Sequence, residues 1–436
     1  EAKFIVRATI GDLRVGVAEG IIRDAIAKAF LIGHENLSDT PAKLAGVAKD
    51  AASAVEWAWF LRPDYGEVAE IARDRGINGL EKVKVEVGKP YHVLLAERSP
   101  GLKEAIESFE KVALEYKFDG ARLIIHKKGN KIWLFTRRLE NITKQFPELH
   151  GMVAKAVDCK ECIIEGEMLG FNKATGKPMP FQFLSQRIKR KYDIDRMVKE
   201  IPIQVNLFEI VYLDGRELFD EPLSERWRRL KSIIRPIKGK FQLAEHLETK
   251  DLKQAEKFYK ESLAASQEGL IVKNLDARYQ PGRRVAGGWL KVKPVMETLD
   301  LAIIGATWGT GKRAGWFGSL LLGARDAETG KFLRCGMIGT GIKEKKEQEG
   351  DITFEELTKM LKPNIIEQHG SEVILKPDVV VEVAYEEIQK SPDYDSGVAL
   401  RFPRVVKFRP DKNLDECDST ERIRRLYGQQ KGKIRG

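Results

Sequence analysis

The chain has 436 residues, 42% apolar and 32% charged, with a formal net charge of +10 from 75 Lys and Arg against 65 Asp and Glu. That length exceeds a single core and is expected to form about two or three domains. No run of about 18 apolar residues occurs, which argues against a helical membrane span, and no secretory signal opens the chain. The basic balance favours a polyanionic partner such as nucleic acid. Charges of both signs interleave, as in residues 343–349, which also suits a thermophile. The first residue is Glu1 rather than Met, so the sequence reads as a piece of a longer protein or one whose start has been removed. A cytoplasmic monomer without membrane association is expected.

Residues 1–85 read as helical. Thr40 is a candidate cap before Pro41, a residue suited to the first helical position. Leu44, Val47, Ala48, Ala51, Val55 and Ala58 then form a helical stripe. A short helix is expected over 66–75, stopped by Gly76. From 88 to 295 strands and helices alternate, as in an α/β or α+β domain. Strands are expected at 112–114 and 123–125, joined by a tight turn, and at 132–135, 163–164, 205–213 and 270–272. A helix is expected over 251–264. From 297 onward short strands dominate, at 299–306, 319–324, 379–388 and 398–408, about five in all, which suits a small barrel such as an OB-fold. A charged helix over 419–427 and a loose end over 431–436 complete the chain. The fold class is therefore multidomain α+β, with domains at 1–85, 86–295 and 296–436. Of the four cysteines, Cys159 and Cys162 form a lone Cys-x-x-Cys. Cys335 and Cys417 do not supply a second pair at zinc spacing, so ordinary thiols are expected.

The string Glu115-Tyr116-Lys117-Phe118-Asp119-Gly120-Ala121-Arg122 places a lysine between two aromatic residues and an Asp-Gly turn. Such a lysine attacks phosphorus only when desolvation or nearby positive charge keeps part of it neutral. Glu165-Gly166-Glu167 follows an apolar strand and reads as carboxylates at a strand end. Glu268-Gly269-Leu270-Ile271-Val272-Lys273 sets a carboxylate before an apolar strand and a lysine after it. In Trp289-Leu290-Lys291-Val292-Lys293 alternation puts both lysines on one strand face, which favours anions there.

The octapeptide resembles the Lys-x-Asp-Gly-x-Arg signature of covalent nucleotidyltransferases: ATP-dependent DNA ligases, RNA ligases and mRNA capping enzymes. The order of the other strings resembles the DNA ligases throughout. Arg137 and Arg138 stand in a segment similar to one that grips phosphate. Residues 181–184 with Arg187, Arg190, Lys191 and Tyr192 resemble a basic helix. Phe208 lies in a strand similar to one whose aromatic stacks on adenine. Residues 400–412, with Arg401, Lys407 and Arg409, resemble the last motif, on the barrel. Residues 13–20 resemble the end of the helical DNA-binding domain that precedes the core in archaeal and eukaryotic replicative ligases. The match covers nearly the whole chain, which departs from the family in having Glu165 and Glu209 where Asp is usual.

The resemblance implies that Lys117 is the nucleophile that carries AMP. Glu115 would read the adenine edge, Phe208 would stack on the ring, and Arg122 and Arg137 would bind ribose and phosphate. Glu167 and Glu268 would hold Mg2+, with Mn2+ as a substitute, Glu167 also lying in the nucleotide site. Lys291 and Lys293 would neutralise the α-phosphate, and Arg401, Lys407 and Arg409 would complete the ATP site from the barrel, which would swing between poses. The implied substrates are ATP and nicked double-stranded DNA, in replication, repair and recombination. A sliding clamp is an expected partner through the missing N-terminal part. A GTP-dependent capping-type guanylyltransferase, an RNA ligase and a non-enzymatic DNA-binding module are the alternatives. The glycines at 305, 309, 311, 315 and 318 with Lys312 and Arg313 lack the spacing of a Walker loop and read as a basic barrel loop for DNA backbone.

Overall fold

A computed structural model describes residues 19–32, 41–172, 175–179, 181–282, 287–294, 296–346 and 352–430. The chain divides into two compact units, 1–293 and 294–436.

The first unit opens with helices α1 (Glu19–Phe30), α2 (Pro41–Leu61) and α3 (Tyr65–Glu81). Pro41 takes the first helical position, where its missing N–H costs nothing. The Thr40 cap and residues 13–18 lie outside the described residues. Ala51, Val55 and Ala58 of the stripe are buried with Ile26, Val68 and Ala72. Gly76, at φ +61°, interrupts α3 where a stop was expected, but a further turn follows it to Glu81.

The unit continues with β1 (Glu97–Arg98), α4 (Leu102–Glu107), β2 (Val112–Tyr116), β3 (Ala121–Lys128), β4 (Lys131–Thr136), α5 (Glu148–Ala156) and β5 (Glu161–Gly170). Next come α6 (Phe181–Ile188), α7 (Ile194–Glu200), β6 (Ile203–Leu213), β7 (Arg216–Glu217), α8 (Leu223–Ile233), β8 (Phe241–Leu243) and β9 (His246–Glu248). Then follow α9 (Leu252–Ala264), β10 (Leu270–Asn274) and β11 (Trp289–Val292). They build two sheets, one in the order β1-β11-β10-β2-β9 and one in the order β4-β3-β5-β6-β7, with β8 beside β6.

The expected tight hairpin around Lys117 does not form. β2 and β3 lie in different sheets, and residues 117–120 carry the chain from one to the other. The Glu165-Gly166-Glu167 string is likewise not at a strand end but inside the ten-residue β5. Gly166 is there for contact: a Cβ would meet Asn206 O of β6 at 2.7 Å.

Each sheet has one largely apolar face. In the first, Val112, Leu114, Leu270, Val272, Leu290 and Val292 pack on Ile106 of α4 and Ala255 of α9. In the second, Leu123, Ile125, Ile164 and Leu207 pack on Leu149 of α5, Leu184 of α6 and Trp227 of α8. Burying each such side chain contributes about 1.5–3 kcal/mol. The two remaining faces share a third cluster, which includes Phe118, Ile124, Ile163, Phe208, Tyr279 and Trp289. The charged strings lie on those faces.

The second unit holds β12 (Leu299–Trp308), β13 (Phe317–Arg325), β14 (Phe332–Ile338), α10 (Phe354–Leu361), β15 (Ile365–His369) and β16 (Glu372–Leu375). It ends with β17 (Val380–Ala384), β18 (Glu387–Lys390), β19 (Val398–Arg401), β20 (Arg404–Phe408) and α11 (Thr420–Gln429). The strands outnumber the expected five partly because 379–388 and 398–408 each break into two. The second break comes at Phe402, at φ +50°, and Pro403. β12 pairs with β13, and its first half also pairs with β17 and its second half with β16. Leu299, Leu301, Phe317, Phe354 and Ile423 share the core beneath. Helix α10 was not expected, although its capping box, Thr353 with Glu356, is written in the sequence. Ser419 caps α11, the expected tail helix. Residues 431–436 lie outside the described residues.

Candidate active site

Register decides which side chains meet. Glu115 on β2 stands opposite Ile271 on β10 and His246 on β9, and Ile271 stands opposite Lys291 on β11. Side chains alternate along a strand, so Lys117, Lys273, Trp289 and Lys293 share that face with Glu115, Lys291 and His246. The opposite face is the apolar one.

Lys117 continues the pairing one step past β2: its N–H donates to Gly269 O, and its C=O accepts from Glu268 N–H, each at 2.8 Å. Gly269 has φ +128°, and a Cβ there would meet Val292 O at 2.2 Å, so only glycine lets the strands close at this point. The Lys117 and Lys293 ammonium groups converge on Glu268 Oε2, at 2.7 and 2.9 Å. Burial pushes the Glu268 carboxyl up, but the two lysines outweigh it and hold it at about 2.

Farther along the same face Glu115 is buried. Its Oε2 lies 2.6 Å from Lys273 Nζ, and its Oε1 lies 3.0 Å from His246 Nδ1. Burial would raise this carboxyl, yet Lys273 and His246 keep it below the usual range. Lys273 Nζ also donates to Phe208 O at 3.2 Å and lies 4.7 Å from the Phe208 ring and 4.3 Å from the Trp289 ring.

The second sheet supplies the facing residues. Arg122 of β3 and Glu167 of β5 are directly paired in register. Arg122 lies 4.5 Å from the Phe208 ring and 5.2 Å from the Trp289 ring and is bonded to Glu165. Glu165 is fully buried and also accepts from the Tyr91 and Tyr279 hydroxyls. Arg122 therefore spends part of its fork on the protein. Burial pushes the Glu167 carboxyl up, Arg122 and Lys117 pull it down, Glu268 and Asp119 raise it, and the balance lies at about 7.

Thus Glu115, Lys117, Arg122, Glu167, Phe208, Glu268, Lys291 and Lys293 belong to the two facing sheet surfaces of the first unit. Arg137 lies exposed just beyond β4. Arg401, Lys407 and Arg409 belong to the second unit. Arg401 pairs with Glu387 at 3.0 Å, and Lys407 with Glu382 at 3.5 Å. Arg409 meets Asp300 at 3.0 Å and Asp411 at 2.8 Å. Two residues of quoted strings have structural partners instead. Arg187 is buried against Glu148 at 2.6 Å. Glu209 is fully buried and accepts two bonds from Arg226, at 2.8 and 2.9 Å. In the glycine-rich loop Arg313 pairs with Glu344 at 3.2 Å and lies over the Phe354 ring at 4.1 Å. The sequence reading missed His246, Tyr91 and Tyr279 as site residues, because no local pattern marks a contact with partners 74–131 positions away.

Residues 93–293 match the family model of the ATP-dependent DNA ligase domain, and residues 313–412 match that of the ATP-dependent DNA ligase C-terminal region. A DNA ligase of Nanoarchaeum equitans is 49% identical over 435 residues, covering all of this chain and 73% of the relative. The chain belongs to the ATP-dependent DNA ligases. A DNA ligase of Thermococcus fumicolans is 43% identical over 431 residues, 99% of this chain and 72% of that relative. A solved structure titled Pmar-Lig_PreS3 shares the fold with a TM-score of 0.55 and 18% identity, covering 93% of this chain and 95% of the other. The ligase motifs thus lie on two facing sheet surfaces and on the separate second unit.

Among the described residues no three acidic, His or Cys side chains form a ready metal cage. Mg2+ asks for less, one or two carboxylates plus phosphate oxygens and water. Glu167 and Glu268 fit that demand. They are hard oxygen donors, and burial raises the Glu167 carboxyl, a cost that a cation would relieve.

Proposed function

We propose that this chain seals nicks in duplex DNA through a lysine-bound AMP, with Lys117 as the nucleophile. The observation that carries the reading is the row on the first sheet: Lys117 and Lys293 share Glu268 at 2.7 and 2.9 Å, beside the buried Glu115. This is one nucleophile with fixed positive charge around it and a base-reading carboxylate on the same strand.

Lys117 Nζ gives up a proton and attacks the α-phosphorus of ATP. The N–P bond forms as the bond to pyrophosphate breaks. The DNA 5′-phosphate then takes the AMP from Lys117, and attack by the 3′-hydroxyl releases AMP and closes the strand. Lys291 and Lys293 neutralise charge as it gathers on the α-phosphate, aimed by strand register before the reaction begins. Arg122, Arg137 and Arg401 bind ribose and phosphate oxygens through forked donors. Phe208 supports the adenine ring and Glu115 reads its edge. Glu167 and Glu268 would hold Mg2+, which when bound would offset charge on the phosphates. Lys407 and Arg409 orient the departing pyrophosphate. We read the second unit as an OB-fold and residues 19–81 as the end of a helical DNA-binding domain. The net charge of +10 supports binding to the DNA backbone.

Incubation with α-labelled ATP or GTP, followed by a denaturing gel, tests the reading. Label from ATP on the folded protein, transferable to a nicked duplex, is expected. Label from GTP alone indicates a capping-type enzyme, and no label from either contradicts the assignment.

A further inference from the structure

The Glu115 carboxylate is held from both sides. Strand register makes His246 its direct cross-strand neighbour, and Lys273 is the diagonal neighbour on the other flank. The two anchors take different oxygens, His246 Nδ1 at Oε1 and Lys273 Nζ at Oε2. The imidazole itself is fixed. It stacks on Trp227 of α8, with ring centroids 4.3 Å apart and planes 15° apart, and its Nε2 lies 3.3 Å from Glu248. A carboxylate tied by one cation swings about its last torsion, whereas one tied at both oxygens has a set plane. Glu245, the residue before His246, carries a half-buried carboxyl that burial pushes up and that Glu115 raises further.

We propose that His246 is a positioning residue: it fixes the Glu115 carboxylate so that the site prefers adenine to guanine. The proposal rests on the reading above, in which Glu115 faces the base. An ionised carboxylate only accepts hydrogen bonds. The six-position of adenine offers an amino donor, and that of guanine offers a carbonyl acceptor. A carboxylate fixed in plane bonds the first and repels the second. One that swings loses part of both effects. Because the contact is to the base and not to the reacting phosphorus, its loss weakens nucleotide binding more than the maximal rate.

Two variants separate the hydrogen bond from the ring. His246→Phe keeps a ring against Trp227 and loses the N–H. His246→Asn loses the ring and keeps an N–H donor near the Nδ1 position. The measurement is the initial rate of covalent labelling from α-labelled ATP and from α-labelled GTP, over a range of concentrations, with Mg2+ present. For His246→Phe we expect KM for ATP to rise about tenfold and the ATP-over-GTP preference to fall about tenfold, with the maximal rate changed by less than about threefold. His246→Asn is expected to stay within about threefold of the parent on all counts. A parent-like His246→Phe overturns the proposal, and so does a His246→Asn as impaired as His246→Phe, because a packing role for the ring predicts that pattern. Glu115→Gln distinguishes the two readings. If it loses the preference while His246→Phe does not, only the role of His246 fails. If it keeps the full preference, Glu115 does not read the base and the parent reading fails as well.

Discussion

The two units handle charge in opposite ways. In the first, Glu115, Glu165, Glu209, Arg226 and Lys273 are each at most 2% exposed and are bonded to one another or to buried hydroxyls. Strand register sets the positions of the four on β2, β5, β6 and β10, and α8 carries Arg226. In the second, Lys407 is 61% exposed, and its partner Glu382 also lies 3.8 Å from Arg409. These cations are satisfied by acids of their own surface and must exchange partners to meet a phosphate. Buried charge positions a reaction, while surface charge is available to move between anions.

The largest effect that would break this contrast is on stability. Glu209→Ala leaves the buried Arg226 charge without its carboxylate and is expected to cost about 3–5 kcal/mol, read by denaturant unfolding. A loss under about 1 kcal/mol would mean that the first unit is no more committed to its charges than the second.

A similar scale applies to His126, which is fully buried and accepts the Gly88 N–H at Nδ1, 3.0 Å away. Burial holds its imidazole down at about 3, from an ordinary value of 6.5. The unfolded state therefore takes up the proton first. This contribution to stability is whole above about pH 6.5 and is lost as the pH falls toward about 3, by on the order of 4 kcal/mol. NMR of the imidazole nitrogens should show His126 neutral at pH 5. Titration near 6.5 would refute its closed environment.

The second unit should show its role in rates. Lys407→Ala/Arg409→Ala is expected to slow enzyme-AMP formation by roughly two to three orders of magnitude. Sealing of a nick that already carries 5′-AMP should fall much less, since no pyrophosphate leaves in that reaction. Single-turnover measurements on both reactions, at equal DNA occupancy, decide this. Equal losses would make the pair a DNA grip or a structural element. The smallest effect on stability is expected for Arg401→Ala. The Arg401 side chain is 41% exposed beside Glu387, and its removal should cost stability under about 1 kcal/mol by thermal unfolding.

The strands were largely legible in the sequence because alternation and apolar runs survive in any tertiary context. Pairing was not. Asp119-Gly120 is good turn chemistry, but nothing local says that β2 and β3 join different sheets, and the backbone of Lys117 pairs instead with Gly269, 152 positions away. The Glu165-Gly166-Glu167 string read as a strand end because it follows an apolar run, while in the fold the strand continues and Gly166 admits the β6 backbone. The residues of the two facing surfaces could be named from short strings because those strings resemble ligase motifs, whether they fall inside a strand, as Glu115, Glu167 and Phe208 do, or beside one, as Lys117 does. The fixtures behind them, His246, Tyr91 and Tyr279, carry no motif and come into contact only through the sheet register and the packing of β-face against β-face.

The central claim is that Lys117 is the residue that carries AMP. The direct measurement is proteolytic mapping of the protein after incubation with α-labelled ATP, together with the same incubation of Lys117→Ala. The account predicts one acid-labile AMP on the peptide containing Lys117, and a folded variant with none. An adduct on another lysine, or a persistent adduct in Lys117→Ala, would contradict it.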